Sequence, residues 1–141
     1  MTDRDPIAAG GCLCGAVRYA TSGPLRDVVN CHCGMCRRTH GAFGAYTQAR
    51  RSDVAIDGGE ALDWYASSDA ARRGFCRVCG STLFWDAPDA DTIAIVAGSL
   101  DMPTGLKTVG HIFVADRADF YEIADALPRC PGDGDPAGRD A

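Results

Sequence analysis

Cys31-His32-Cys33-Gly34-Met35-Cys36-Arg37-Arg38 sets three cysteines within six residues, in the pattern C-x-C-x-x-C. They are too close together to be independent core residues. Gly34 lets the backbone bend sharply, so a short loop can turn several sulfurs toward one point. A soft divalent metal takes that arrangement, and zinc is the usual occupant of thiolate sites. Three protein ligands leave a tetrahedral ion one position short, and an open position separates a catalytic zinc from a structural one.

Two cysteine pairs extend the pattern. Gly10-Gly11-Cys12-Leu13-Cys14-Gly15 is a C-x-C flanked by glycines. On extended backbone, residues two apart share a face, which aims Cys12 and Cys14 at one ion. Phe75-Cys76-Arg77-Val78-Cys79-Gly80 has zinc-knuckle spacing, and its trailing glycine can take the positive φ that closes such a turn. A redox dithiol would instead open a helix in a βαβ setting, whereas 81–85 reads as a strand. Cys130 falls in a stretch rich in Pro, Gly and Asp and reads as an exposed thiol outside any metal site. The other seven cysteines divide into four and three. Cys12, Cys14, Cys76 and Cys79 make a closed structural zinc site; Cys31, Cys33 and Cys36 make an open second site, giving two zinc ions per chain. The spacing also permits the triplet to borrow Cys79.

The rest of the chain is short β-prone segments between turn signals. Strands are expected over 16–21, 25–30, 41–47, 54–57, 62–66, 70–75, 81–85, 92–97 and 109–115. A turn of helix is expected over 37–41, and 120–127 fits either helix or strand. The fold class is therefore all-β, with sheets folded around metal-bearing turns. Residues 1–9 read as a loose lead-in and 10–128 as a single zinc-binding domain. The stretch 129–141 has too little apolar content to offset its ordering entropy, so it is expected to be a disordered tail.

Composition excludes other classes. The formal charge is −5, and no basic run exceeds two residues, against a nucleic-acid partner. No apolar run approaches the roughly 20 residues of a membrane span. The charged N-terminus lacks a secretory core, so a cytoplasmic location is expected. In that compartment clustered cysteines bind metal rather than form disulfides.

The histidines and arginines complete the candidate set. His32 lies between two ligands and is expected to point away from them. His40, four residues past Cys36, is a candidate fourth ligand, which would make the second site structural. His111 sits on an apolar strand, either as a core histidine or lining a site. Arg37 and Arg38 are solvated charges or ligands for a substrate carboxylate.

The order C-x-C, C-x-C-x-x-C, F-C-x-x-C-G resembles the glutathione-dependent formaldehyde-activating enzyme family, which includes centromere protein V. The resemblance runs through G-G-C-L-C-G-A-V-R-Y at 10–19, C-H-C-G-M-C-R-R at 31–38, A-G-S-L-D at 97–101, H-I-F-V at 111–114 and D-A-L-P at 125–128. It implies a β-tent fold of small antiparallel sheets around zinc, a Cys₄ structural zinc and a three-cysteine zinc. It also implies carbon–sulfur lyase chemistry, the reversible joining of glutathione and formaldehyde to S-hydroxymethylglutathione. Arg37 or His111 would then stabilise the developing oxyanion. The competing readings are a non-catalytic zinc-stabilised protein-binding module and a thiol redox or metal-buffering protein.

Overall fold

A computed structural model describes residues 6–136. The elements run β1 (Ala8–Gly11), β2 (Arg18–Thr21), β3 (Val28–Cys31), α1 (Gly34–His40), β4 (Gly44–Arg50), β5 (Val54–Asp57), β6 (Leu62–Ala66), β7 (Arg72–Cys76), β8 (Thr82–Asp86), β9 (Thr92–Val96) and β10 (Thr108–Ile112). The molecule is mostly β, with one α-helix among the described residues. The expected single domain is laid out as two compact units. The first comprises Met1–Arg26 and Thr47–Gly105, the second Asp27–Tyr46 and Leu106–Ala141.

In the first unit, β1, β2 and β5 form an antiparallel sheet, with Ala8 opposite Thr21 and Thr21 opposite Val54. Tyr19 and Thr21 alternate inward along β2. Gly10 is required on β1, because a Cβ there would lie 2.4 Å from both the Ser99 carbonyl and the Tyr19 hydroxyl. The same unit carries the antiparallel run β9-β8-β7-β6. Its core is Leu83, Phe84 and Ile95, all fully buried. Phe84 meets Tyr19 edge-on at 5.4 Å and stacks with Trp64 at 6.1 Å. Burying such a side chain stabilises by roughly 1.5–3 kcal/mol. Asp86 ends β8 fully buried, between Arg51 at 2.6 Å and Arg72 at 2.9 Å. The Arg72 guanidinium also lies 3.9 Å over the Trp64 ring.

The second unit holds the order β10-β3-β4, with β4 represented by Gly44–Tyr46. β3 and β4 are antiparallel, Asn30 facing Ala45. β10 lies parallel to β3, His111 beside Asn30 and Ile112 beside Cys31, which corrects the expectation of purely antiparallel sheets. Parallel neighbours need a long crossover, and the chain between Cys31 and Thr108 supplies one. The helix begins at Gly34, inside the cysteine triplet, rather than at 37. The segment 120–127 forms neither helix nor strand.

The described part of the expected tail is tied down. Cys130 N donates to the His111 carbonyl at 2.9 Å, and Phe113 N donates to the Gly132 carbonyl at 2.9 Å. These bonds offset the ordering cost that composition alone leaves uncovered. Residues 1–5 and 137–141, the ends of the expected lead-in and tail, lie outside the described residues.

Candidate metal centres

The sulfurs of Cys12, Cys14, Cys76 and Cys79 lie within 4.8 Å of one another in the first unit. Cys14 Sγ is 3.7 Å from Cys12 Sγ and 3.8 Å from Cys76 Sγ. Two glycine-closed turns bring them there. Gly15 N donates to the Cys12 carbonyl and Gly80 N to the Cys76 carbonyl, with φ at 83° and 82°, a region that favours glycine. Gly80 thus has the conformation its sequence position suggested. Cys12 and Cys14 converge through a turn rather than through strand alternation.

Polar groups around these sulfurs favour thiolate. The Val17 amide donates to Cys12 Sγ at 3.3 Å. The Ser81 hydroxyl donates to Cys79 Sγ at 3.2 Å. That hydroxyl and the backbone amides of Ser81 and Cys14 pull the Cys79 thiol down to about 5. Ser81 also accepts from Leu13 N at 3.0 Å, linking the two turns. Sequence reasoning missed Ser81; the only signal was a hydroxyl directly after Cys79-Gly80.

In the second unit, the sulfurs of Cys31, Cys33 and Cys36 lie within 4.8 Å of one another. Cys31 ends β3, Cys33 is the N-cap of α1, and Cys36 lies buried in the first helical turn. The Cys36 amide donates to Cys33 Sγ at 3.3 Å. The hydrogen bond with Cys36 and burial push the Cys31 thiol upward. Three thiolates in so small a space call for a positive charge among them, and an all-sulfur donor set suits zinc.

The other candidates divide by position. His40 Nε2 lies 2.6 Å from the Tyr46 hydroxyl, and His40 is not among the ligand atoms that gather within 4.8 Å of one another at the triplet. Arg37 is half-buried, its guanidinium reaching back to 4.0 Å from where a Gly34 Cβ would stand, while Arg38 is exposed. His32 is 1 % exposed, and both its ring nitrogens engage other side chains. Its Nδ1 lies 2.5 Å from the Tyr121 hydroxyl and its Nε2 lies 2.9 Å from His111 Nδ1. His111 Nε2 in turn meets the Asp125 carboxylate at 3.0 and 3.1 Å. Burial, then His111, lowers the His32 pKa to about 4. The Leu127 amide, then His111, holds the Asp125 carboxyl below its ordinary range. Both ring nitrogens of His111 are engaged and the side chain is buried. Tyr121 and Asp125 were not identified as site residues, because they lie in a segment without periodicity and reach their partners over long sequence separations.

A family model described as glutathione-dependent formaldehyde-activating enzyme matches residues 7–116. The chain belongs to this family. The chain is 33 % identical over 124 residues to an uncharacterized lyase of Schizosaccharomyces pombe, spanning 85 % of this chain and 88 % of that one. It is 29 % identical over 128 residues to a protein of Halomonas elongata named as a candidate glutathione-dependent formaldehyde-activating enzyme, spanning 83 % and 81 %. A crystal structure of a Rhodobacter sphaeroides protein superposes with a TM-score of 0.57 at 29 % identity, covering 71 % of this chain and 97 % of that one. Among the described residues no helix is long and apolar enough to cross a membrane.

Proposed function

We propose that the protein is a carbon–sulfur lyase that joins a small thiol to an aldehyde and releases it again, with glutathione and formaldehyde as first candidates. The observation that carries this reading is the convergence of three sulfurs, Cys31, Cys33 and Cys36, within 4.8 Å. They would hold one zinc, and Cys12, Cys14, Cys76 and Cys79 a second, purely structural one. When bound by Cys31, Cys33 and Cys36, zinc would supply the positive charge that favours the thiolate form of a substrate thiol.

The chain's own residues do the rest. Cys31, Cys33 and Cys36 orient the incoming thiol; three thiolates donate so much charge that positioning outweighs polarisation of the aldehyde. Arg37, whose guanidinium reaches back toward Gly34, would pair with a substrate carboxylate or a developing oxyanion. Addition forms a C–S bond and opens the C=O π bond, the carbonyl oxygen taking up the proton that the thiol gave up; release reverses each change. We assign the protein to the reducing cytoplasm, where clustered cysteines bind metal rather than form disulfides.

NMR exchange spectroscopy between free and hydroxymethylated glutathione, with and without protein, tests the reading. Acceleration by the zinc-loaded wild type and its loss in Cys33→Ser is the expected result. No acceleration and no thiol binding across a panel of small thiols would replace it with the protein-binding module. The module reading draws its support from a fourth ligand such as His40, which is not grouped with the three sulfurs.

A further inference from the structure

Four side chains that the proposed reaction does not use form an unbroken hydrogen-bonded row in the second unit: Asp125, His111, His32 and Tyr121. Both histidines are buried, at 3 % and 1 % exposure, whereas the Asp125 side chain is 45 % exposed. The row has a direction. An ionised carboxylate only accepts, so His111 Nε2 carries the proton and donates to Asp125. His111 Nδ1 is then the acceptor, and His32 Nε2–H donates to it. His32 Nδ1 is left to accept from the Tyr121 hydroxyl. One exposed carboxylate thus selects the tautomer of two buried rings.

The row ends on the residue between two ligands. His32 N donates to the Ile112 carbonyl at 3.0 Å, and both of its ring nitrogens are engaged. Main chain and side chain of His32 are therefore fixed together. Fixing the backbone at His32 fixes the directions of the Cα–Cβ bonds on either side, those of Cys31 and Cys33. Asp125 is itself held firmly. Its carboxylate accepts from Leu127 N at 3.0 Å and its carbonyl accepts from Arg129 at 2.7 Å.

We propose that Asp125 is a positioning residue for the three-cysteine site, acting through His111 to lock His32 and so to preorganise Cys31 and Cys33 as ligands. This deepens the reading of the triplet as a metal site and rests on it. A preformed pair of ligands spares the metal part of the ordering cost. Groups that orient ligands from outside the coordination shell typically change metal affinity 10–100-fold when removed.

Two variants test the idea in the full chain. In Asp125→Asn, the amide carbonyl keeps the Leu127 bond and the NH₂ turns to His111. The row then reverses, giving Nδ1–H tautomers on both His111 and His32. In Asp125→Ala it loses its anchor. Long-range ¹H–¹⁵N spectra of the zinc-loaded protein read the tautomers. Cobalt(II) titrations read affinity, with the difference between wild type and Cys33→Ser isolating the triplet's charge-transfer bands. The expected results are Nε2–H on both rings in wild type, the reversal in Asp125→Asn, and about tenfold or greater weakening of the triplet in Asp125→Ala. The Cys₄ bands stay unchanged throughout and certify the fold. An unchanged His32 tautomer in Asp125→Asn, or unchanged triplet affinity in Asp125→Ala, overturns the proposal. Absence of triplet bands in the wild type is a separate result, defeating the metal reading and this inference with it.

Discussion

Tyr19 shows how one residue's surroundings become a measurable property. It is 3 % exposed, its hydroxyl 2.6 Å from Ser99 Oγ. Burial, against the smaller opposing effect of Ser99, pushes its phenol up to about 12. Above pH 10 an unfolded tyrosine loses its proton while the folded one keeps it, so the folded state binds more protons and stability falls as pH rises from 10 to 12. Tyr19→Phe is expected to lose about 1 kcal/mol at neutral pH with the hydrogen bond, and to show a shallower decline above pH 10 in denaturant melts. An equally steep decline would place the alkaline sensitivity elsewhere. At this scale the cysteines were legible because ligand spacing is local. His111 was legible as buried but not as engaged at both nitrogens, because its partners His32 and Asp125 come from distant segments.

Among the elements, α1 is where sequence and structure part most clearly. Its first residue is Gly34, a poor helix former, and no acidic residue marks its first turn. The start is supplied by Cys33, whose sulfur takes the Cys36 amide in place of the usual oxygen cap. The far end conforms better. Gly41 sits at φ 103° and donates to the Arg37 carbonyl at 2.8 Å, while Arg37, Arg38 and His40 fill the last turn. This arrangement separates two roles of one residue. Serine is a good cap but a poor zinc ligand, so Cys33→Ser should lose metal from the triplet while keeping helix signal in circular dichroism. Cys33→Ala should lose the cap as well, at about 1 kcal/mol. If both variants melt alike, the sulfur cap contributes nothing to α1. Strands were read more accurately than the helix because alternation such as Tyr19 and Thr21 is visible in a short window. The parallel partnership of β10 with β3 was not, since it depends on where the chain goes in between.

At the level of the whole molecule, each compact unit contains one sulfur cluster. Metal analysis of the purified protein should give about two zinc ions per chain, and none, with disulfides formed, would end the metal reading. The two sites should differ in what they hold together. Cys14 and Cys76 are 62 residues apart, whereas the triplet is a single local loop. Structural zinc contributes on the order of 10 kcal/mol to folding, so Cys76→Ser should lower the melting temperature far more than Cys36→Ser. The reverse order would contradict the division into four and three. The same contrast governs time as well as energy. A growing chain has all three triplet sulfurs once residue 36 is made, but must wait for Cys79 before the other set is complete. Conversely, an ion held across distant segments leaves only when those segments separate, whereas one in a local loop leaves by a small opening. A chelator added to the native protein should therefore withdraw its zinc in two phases, a fast one from the triplet and a slow one that keeps pace with unfolding of the first unit.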